Sequence, residues 1–287
     1  MAEAKIGIIG GSGLYEMEGM TGIEKVRVKT PFGEPSDAII VGNLEGVKIA
    51  FLPRHGVGHR ISPTELPVRA NIYALKSLGV EWIISVAAVG SLKEEILPLD
   101  LVIPDQLIDR TKNRAGTFFS NGIVGHIVFA EPFCPVLSQL LFEAARDIDI
   151  RVHKGGIYVA MEGPQLSTRA ESQLHHSWGA HVIGMTASPE AKLAREAEIC
   201  YASLSFVTDH DCCIETEEAV TIDTIIANLQ QSIANAKKII GQAIACLPQT
   251  RDCLCTNALQ NAIVTSPDLI PKQAKKDLAL LIGKYIK

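Results

Sequence analysis

Short β-branched runs alternate with helix-periodic segments along most of this chain, and that alternation restricts it to a few folds. Runs at 5–9, 82–88, 101–104, 157–161, 181–183 and 201–207 read as strands. Those at 38–41 and 47–52 read as a hairpin around Gly42-Asn43-Leu44-Glu45-Gly46. The 5–9 and 82–88 runs are apolar without alternation, as strands covered on both faces are. Helical periodicity predicts helices over 67–78, 135–147, 188–197, 221–247 and 271–285. The fourth carries apolar residues at Ile222, Ile225, Ile226, Leu229, Ile233, Ala236, Ile240 and Ile244, and Pro248 stops it. Ser188-Pro189-Glu190 reads as a helix start with Pro at the first helical position. The expectation is an α/β fold, a single domain over 1–287 with a central mixed β-sheet flanked by helices. No repeat or low-complexity linker divides it, and 248–287 is expected as a C-terminal helical extension.

Composition narrows the class further. Apolar residues make up 47% and the net charge is only −5, so disorder is excluded as the main state. The 27 basic residues face 32 acidic ones, which argues against a nucleic-acid partner but leaves room for a local anion site. No apolar run approaches the roughly 18–20 residues of a spanning helix, and the first residues do not read as a secretory leader. The expected address is cytoplasmic, with no membrane partner. Seven cysteines include no C-x-x-C pair and no matching His/Cys quartet, so no zinc site is expected. Cys253-Leu254-Cys255 is either a redox pair or, the leading reading, two reduced thiols.

In such sheets ligands sit beyond strand ends, so polar residues there carry most weight. After the first strand comes Gly10-Gly11-Ser12-Gly13, whose freed N–H groups and hydroxyl suit a phosphate-sized anion, or form a plain turn. A dinucleotide site would place a third glycine where Glu16 stands and an acidic residue where Lys25, Arg27 and Lys29 sit. Arg54-His55-Gly56 follows the 47–52 strand, and a planar guanidinium grips an oxyanion with two parallel donors. Val89-Gly90-Ser91 follows the 82–88 strand. Thr208-Asp209-His210-Asp211 follows the last strand, with two carboxylates on one face of an extended segment. One of them could protonate a ring nitrogen while the other accepts from an amino group; solvated loop carboxylates or a metal site are the rivals.

These residues sit inside ten ordered motifs. They are I-G-I-I-G-G-S-G-L at 6–14, T-P-F-G-x-P-S-D at 30–37, R-H-G-x-x-H at 54–59, A-N-I-Y-A-L at 70–75 and G-S-L-K-E-E-I at 90–96. D-Q-x-I-D-R-T at 105–111, A-E-P-F-C-P at 130–135, E-G-P-Q-L-S-T-R-A-E-S at 162–172, G-M-T at 184–186 and T-D-H-D at 208–211 follow. From residue 6 to about 247 the chain resembles the 5′-methylthioadenosine phosphorylase family, within the trimeric purine nucleoside phosphorylase superfamily.

The resemblance implies phosphorolysis of an N-glycosidic bond: phosphate attacks the ribose C1′ as the purine leaves, through an oxocarbenium-like state. It implies a phosphate site of Ser12, Arg54, His55, the Ala88 backbone and Thr186, and a ribose resting on Met185. The purine would meet Ser167, Asp209 and Asp211, with Asp209 the general acid at N7 and Asp211 directed at the 6-amino group. Paired aspartates favour adenine, because relatives that take 6-oxopurines carry Asn at the first position. Ile222, Ile225 and Ile226 would wall the methylthio group, and His126 would reach a neighbouring subunit's site in a homotrimer. No metal or organic cofactor is implied; inorganic phosphate is the co-substrate. Three residues depart from the family pattern. Leu166 replaces a phenylalanine that stacks on the purine, Ala87 replaces a phosphate-site threonine, and Gly184 replaces an asparagine near the base. The alternatives are a phosphorylase for 5′-methylthioinosine or inosine, a dinucleotide-dependent oxidoreductase, or a non-catalytic purine binder.

Overall fold

The apolar run at 82–88 extends to form β5 (Trp82–Ser91), the strand on which the sheet is assembled. The computed structural model describes residues 4–11, 14, 19–211 and 222–286. Along one edge, the first half of β5 pairs in parallel with β1 (Ile6–Gly10), from Ile6 opposite Trp82 to Ile9 opposite Ser85. Its last two residues pair antiparallel with β10 (Val182–Gly184). Residues 86–89 lie between these partners, and no described strand pairs with them on that edge. The other edge is covered along its length by parallel β11 (Cys200–His210), with a register shift between Val207 and Asp209.

The rest of the sheet grows outward from these strands. Beyond β1 lie β4 (Val47–Pro53), β3 (Ile39–Leu44) and the edge strand β2 (Thr21–Val26). The hairpin of β3 and β4 turns through Glu45 at φ 51° and Gly46 at φ 75°. Beyond β10 lie β9 (Ile157–Ala160) and β7 (Gln106–Asp109), both in parallel register. β6 (Leu101–Ile103) pairs with β11, and β8 (Val152–Lys154) with β6, giving an eleven-stranded mixed sheet.

Helices cover both faces, which is why the central strands read as continuous apolar runs. Residues of α1 (Val68–Ser77) and α4 (Ala187–Glu196) join one apolar cluster, with Ile72, Leu75, Ala191 and Leu193 all 0% exposed. α2 (Pro135–Arg146) and α5 (Ile222–Ala245) join the other, through Leu137, Leu141, Ala236 and Ile240. α3 (Arg169–Ser177) begins with a capping box in which Thr168 and Glu171 satisfy each other's backbone N–H groups. The C-terminal stretch is mostly short helical turns, ending in α6 (Lys272–Asp277) and α7 (Ala279–Ile282). It buries Leu259, Ile270, Leu278 and Leu281 in the first cluster. No described helix is long and apolar enough to cross a membrane.

Several sequence expectations need correction. β2, β7, β8 and α3 were not expected: β2 is almost wholly exposed, and the short β7 and β8 are only partly buried, so neither shows a period-two pattern. The helix expected over 271–285 breaks at Leu278. Ser188 has the extended geometry expected of the residue before a helix, at φ −110°, ψ 135°, and regular helical geometry starts at Pro189 as expected; its hydroxyl, however, donates to Asp109 Oδ2 at 2.7 Å. The absence of a His/Cys quartet in sequence also misleads, because Cys134, Cys200, Cys253 and Cys255 bring their sulfurs within 4.8 Å of one another.

The C-terminal end of α4 carries Glu196, which is 4% exposed and accepts from the Phe118 N–H at 2.6 Å and the Thr117 hydroxyl at 2.7 Å. Burial pushes its carboxyl up to about 7. Between the ordinary value and 7 the folded chain therefore holds a proton that the unfolded chain has released, and stability from this group falls as pH rises. In Glu196→Gln, chemical denaturation from pH 4.5 to 7.5 should lack a decline of up to about 3 kcal/mol relative to the parent. Parallel pH profiles for the two proteins would refute this assignment.

Candidate active site

The site is built around the unpartnered stretch of β5. Arg54 follows β4, and its backbone N–H donates to Gly10 O at 2.9 Å. Its guanidinium, 2% exposed, reaches into the gap between β1 and β10. Nη1 donates to Val86 O at 2.8 Å, Nη2 to Ser85 Oγ at 2.6 Å, and Nε to Glu190 Oε1 at 2.6 Å. Glu190, on α4, is itself 2% exposed and also accepts from Tyr201 OH at 2.9 Å. Arg54 thus has a fixed orientation and one Nη1 hydrogen still available. Strand alternation aims the backbone N–H of Ala88 the same way as Val86 O, into the same gap. Thr186, at the start of α4, lines this space with a buried hydroxyl that makes no hydrogen bond of normal geometry. Gly11 opens the turn beyond β1; Ser12, expected to add a hydroxyl here, lies outside the described residues.

His55 stands beside Arg54 and stacks on His59, centroids 4.2 Å apart. Burial, then the Arg54 guanidinium, push the imidazole down to about 4. It is therefore neutral near pH 7. Nδ1 lies 2.9 Å from Ile61 O, which can only accept, so Nδ1 carries the proton and Nε2 is left as an acceptor. Such a histidine can accept a hydrogen bond at Nε2 rather than supplying a second positive charge.

The two carboxylates stand at the far end of β11. Asp209 Oδ1 accepts from Thr208 Oγ1 at 2.6 Å. Burial, and secondarily Asp211, hold the Asp209 carboxyl above its ordinary value. Asp211 is 8% exposed, and Ser172 Oγ on α3 donates to its Oδ2 at 2.7 Å. A Cβ on Gly90 would lie 3.3 Å from Asp209 Oδ2, so the bare backbone of β5 is what admits this carboxylate. The side chain of Asn228, on α5, donates to Thr208 O at 2.6 Å and ties the long helix to the same strand end.

One cavity of about 650 Å³ joins these parts. Arg54, His55, Ala87, Ala88, Thr186, Asp209 and Asp211 line it together with Leu166, Ser167 and Met185. Ile222, Ile225 and Ile226 form one wall. Ile222 is 61% and Ile226 47% exposed, whereas Ala236, Ile239 and Ile240 farther along α5 are 0%. The stripe on α5 therefore serves the core in its second half and the cavity in its first. Leu166 is 47% exposed at the rim. Ser167 Oγ lies 3.6 Å from Met161 Sδ. Met185 O accepts from Arg114 Nη1 at 2.6 Å, which leaves one lone pair on that oxygen for a ligand. Arg114, 4% exposed and paired with Glu162 at 3.0 Å, fixes the loop behind Met185. His126 is not in the cavity of its own chain; it lies exposed beside the bridge between Gly125 and Ile263. At Gly184, a Cβ would fall 2.0 Å from Tyr158 OH, so the phenol occupies the space that a side chain at 184 would need. Glu190, Ser172, Arg114 and Tyr158 do not stand out in the sequence as site residues. Only the position of Ser172 inside the 162–172 motif offers a signal.

A buried guanidinium with donors around it, a carboxyl raised by burial and an apolar wall share one cavity. The chain belongs to the phosphorylase superfamily, whose family model matches residues 5–245. It is 55% identical over 285 residues to S-methyl-5′-thioadenosine phosphorylase of Geobacter sulfurreducens, covering 99% of this chain and 100% of the relative. The enzyme of the same description from Koribacter versatilis is 54% identical, at 99% and 97% coverage. Among solved structures, a methylthioadenosine phosphorylase from an antarctic soil metagenomic library superposes with TM-score 0.94 at 49% identity, covering 98% of this chain and 99% of that one. The Schistosoma mansoni methylthioadenosine phosphorylase in complex with adenine gives 0.81 at 35%, with 98% of each chain covered.

The Arg54–Glu190 pair makes an anion test available. Glu190→Ala leaves a buried guanidinium uncompensated and should cost about 3–5 kcal/mol. Millimolar phosphate should recover more melting temperature in this variant than in the parent, with chloride at equal ionic strength as control. No phosphate-specific shift in either protein would contradict an anion site at Arg54.

Proposed function

We propose that this protein catalyses phosphorolysis of 5′-methylthioadenosine to adenine and 5-methylthioribose 1-phosphate. The observation that carries the reading is the placement of an Arg54-centred anion cradle and an Asp209 carboxyl raised by burial in one cavity. Phosphate rests against Arg54, the Ala88 N–H, Thr186 and His55 Nε2, with Ser12 as a further donor. A phosphate oxygen forms the new bond to C1′ as the C1′–N9 bond breaks, and the bonding pair passes to the purine. Asp209 gives its proton to N7, so the base leaves neutral; burial favours its protonated form. Asp211, its carboxylate oriented by Ser172, accepts from the 6-amino group. Ser167 and Leu166 pack at the purine, and the free lone pair on Met185 O takes a ribose hydroxyl. Ile222, Ile225 and Ile226 offer apolar surface and no donor, which suits a methylthio group better than a 5′-hydroxyl. Ala87 gives the phosphate site one hydroxyl fewer than a threonine would.

The family membership and the printed activities of the relatives support this reading. We place the enzyme in the cytoplasm and infer a homotrimer in which the exposed His126 completes a neighbour's cavity. Phosphate is then the only co-substrate the residues call for.

The test is base release from methylthioadenosine, adenosine, methylthioinosine and inosine, each with and without phosphate. Methylthioadenosine should lead, and only with phosphate. Asp209→Asn should lower kcat/KM for methylthioadenosine by about 10²–10⁴-fold. An acid must hold its proton to work, so parental activity should fall as pH rises through the elevated Asp209 value, and the variant should lose that limb. Undiminished preference for adenine nucleosides in Asp209→Asn would remove Asp209 from this role.

A further inference from the structure

Four of the five described cysteines converge at a place remote from the cavity. Cys134 is the residue before α2, Cys200 opens β11, and Cys253 and Cys255 flank one residue of the C-terminal stretch. Cys134, Cys200 and Cys255 are at most 1% exposed. All four sulfurs lie within 4.8 Å of one another, and Cys200 and Cys253 are 3.3 Å apart. Every one of these sulfurs lies within one metal's reach of the others. A tetrahedral Zn²⁺ with bonds of about 2.3 Å sets its four sulfurs about 3.8 Å apart, which falls inside this spread.

The surroundings fit a thiolate site. The Cys255 N–H and the Arg195 guanidinium both act favourably on the charge of the thiolates. Both offset the charge that four thiolates leave on a dication. Leu254 is 76% exposed, so the C-x-C segment turns its middle residue outward and both sulfurs inward. An open depression lined by Arg251, Asp252, Cys253 and Leu254 gives an ion a route in.

We propose that Cys134, Cys200, Cys253 and Cys255 form a structural tetrathiolate site for one Zn²⁺, which clasps the C-terminal stretch to the first residue of β11. On binding, four S–H protons pass to solvent and four Zn–S bonds form, with no change of oxidation state. The clasp adds to other ties at this junction: Arg251 Nη1 donates to Glu198 O at 2.8 Å, the Leu259 N–H donates to Glu198 Oε1 at 3.1 Å, and Lys284 and Tyr285 reach the same carboxylate. Lying away from the cavity, it bears on the stability of the C-terminal stretch rather than on the bond-breaking chemistry.

The test uses the full chain, purified without a metal-affinity step and under reducing conditions. Elemental analysis should find about one zinc per chain. Cys134→Ser and Cys255→Ser should each bring zinc to background, while Cys246→Ser, at an exposed cysteine, should retain it. If a variant fails to fold, the parent decides: stripped protein given Zn²⁺ should have these four thiols protected from alkylation, and Co²⁺ should give the intense thiolate charge-transfer bands of a tetrahedral site. A metal-free protein lighter by two hydrogens for each of two bonds among these cysteines would overturn the proposal. So would four thiols that stay fully reactive in excess Zn²⁺, or stoichiometric iron in place of zinc.

Discussion

Backbone groups buried without partners are costly, and β5 carries such a stretch at the centre of the sheet. Its edge passes from β1 to β10, leaving residues 86–89 without a strand neighbour on that side. Arg54 resolves part of the problem by donating to Val86 O, but a buried guanidinium needs an anion of its own. Glu190 supplies it from α4, and Tyr201 and Ser85 hold that carboxylate and the guanidinium in place. The position of α4 against the sheet, the start of that helix at Thr186 and the free N–H of Ala88 all follow from closing one gap. What faces the gap is a set of donors for which the described residues offer no acceptor of normal geometry, a setting that favours an anion.

The opposite end of the cavity is governed by burial rather than by unpaired backbone. β11 continues past its register shift with β5 and presents Asp209 against the bare backbone of Gly90. Burial raises the Asp209 carboxyl, while Ser172 on α3 holds Asp211 in one orientation. Two like residues two positions apart thus have different surroundings, as a donor and an acceptor require.

Much of this is legible in the order of the amino acids. The central strands announce themselves as unbroken apolar runs because both faces are covered, and the ligand-facing polar residues follow directly after them. Arg54, His55, Asp209 and Asp211 can be found that way, and the isoleucines of α5 by their spacing. Glu190, Arg114 and Tyr158 cannot. Their meaning lies in a partner distant in sequence, and a buried charge looks like a solvated one until the pair is seen. The cysteine quartet is hidden for the same reason: three segments supply it, and only one of them carries two cysteines close together. The polar edge strands β2, β7 and β8 show no pattern because neither face is fully buried.

The contact between Tyr158 and Gly184 links two neighbouring strands, β9 and β10, across a single shared volume. Tyr158 is wholly buried and its hydroxyl already fills the place a Cβ at 184 would take. A side chain at 184 would therefore have to displace the Tyr158 hydroxyl, so two neighbouring strands share one volume, and a change at either position alters the room left at the other.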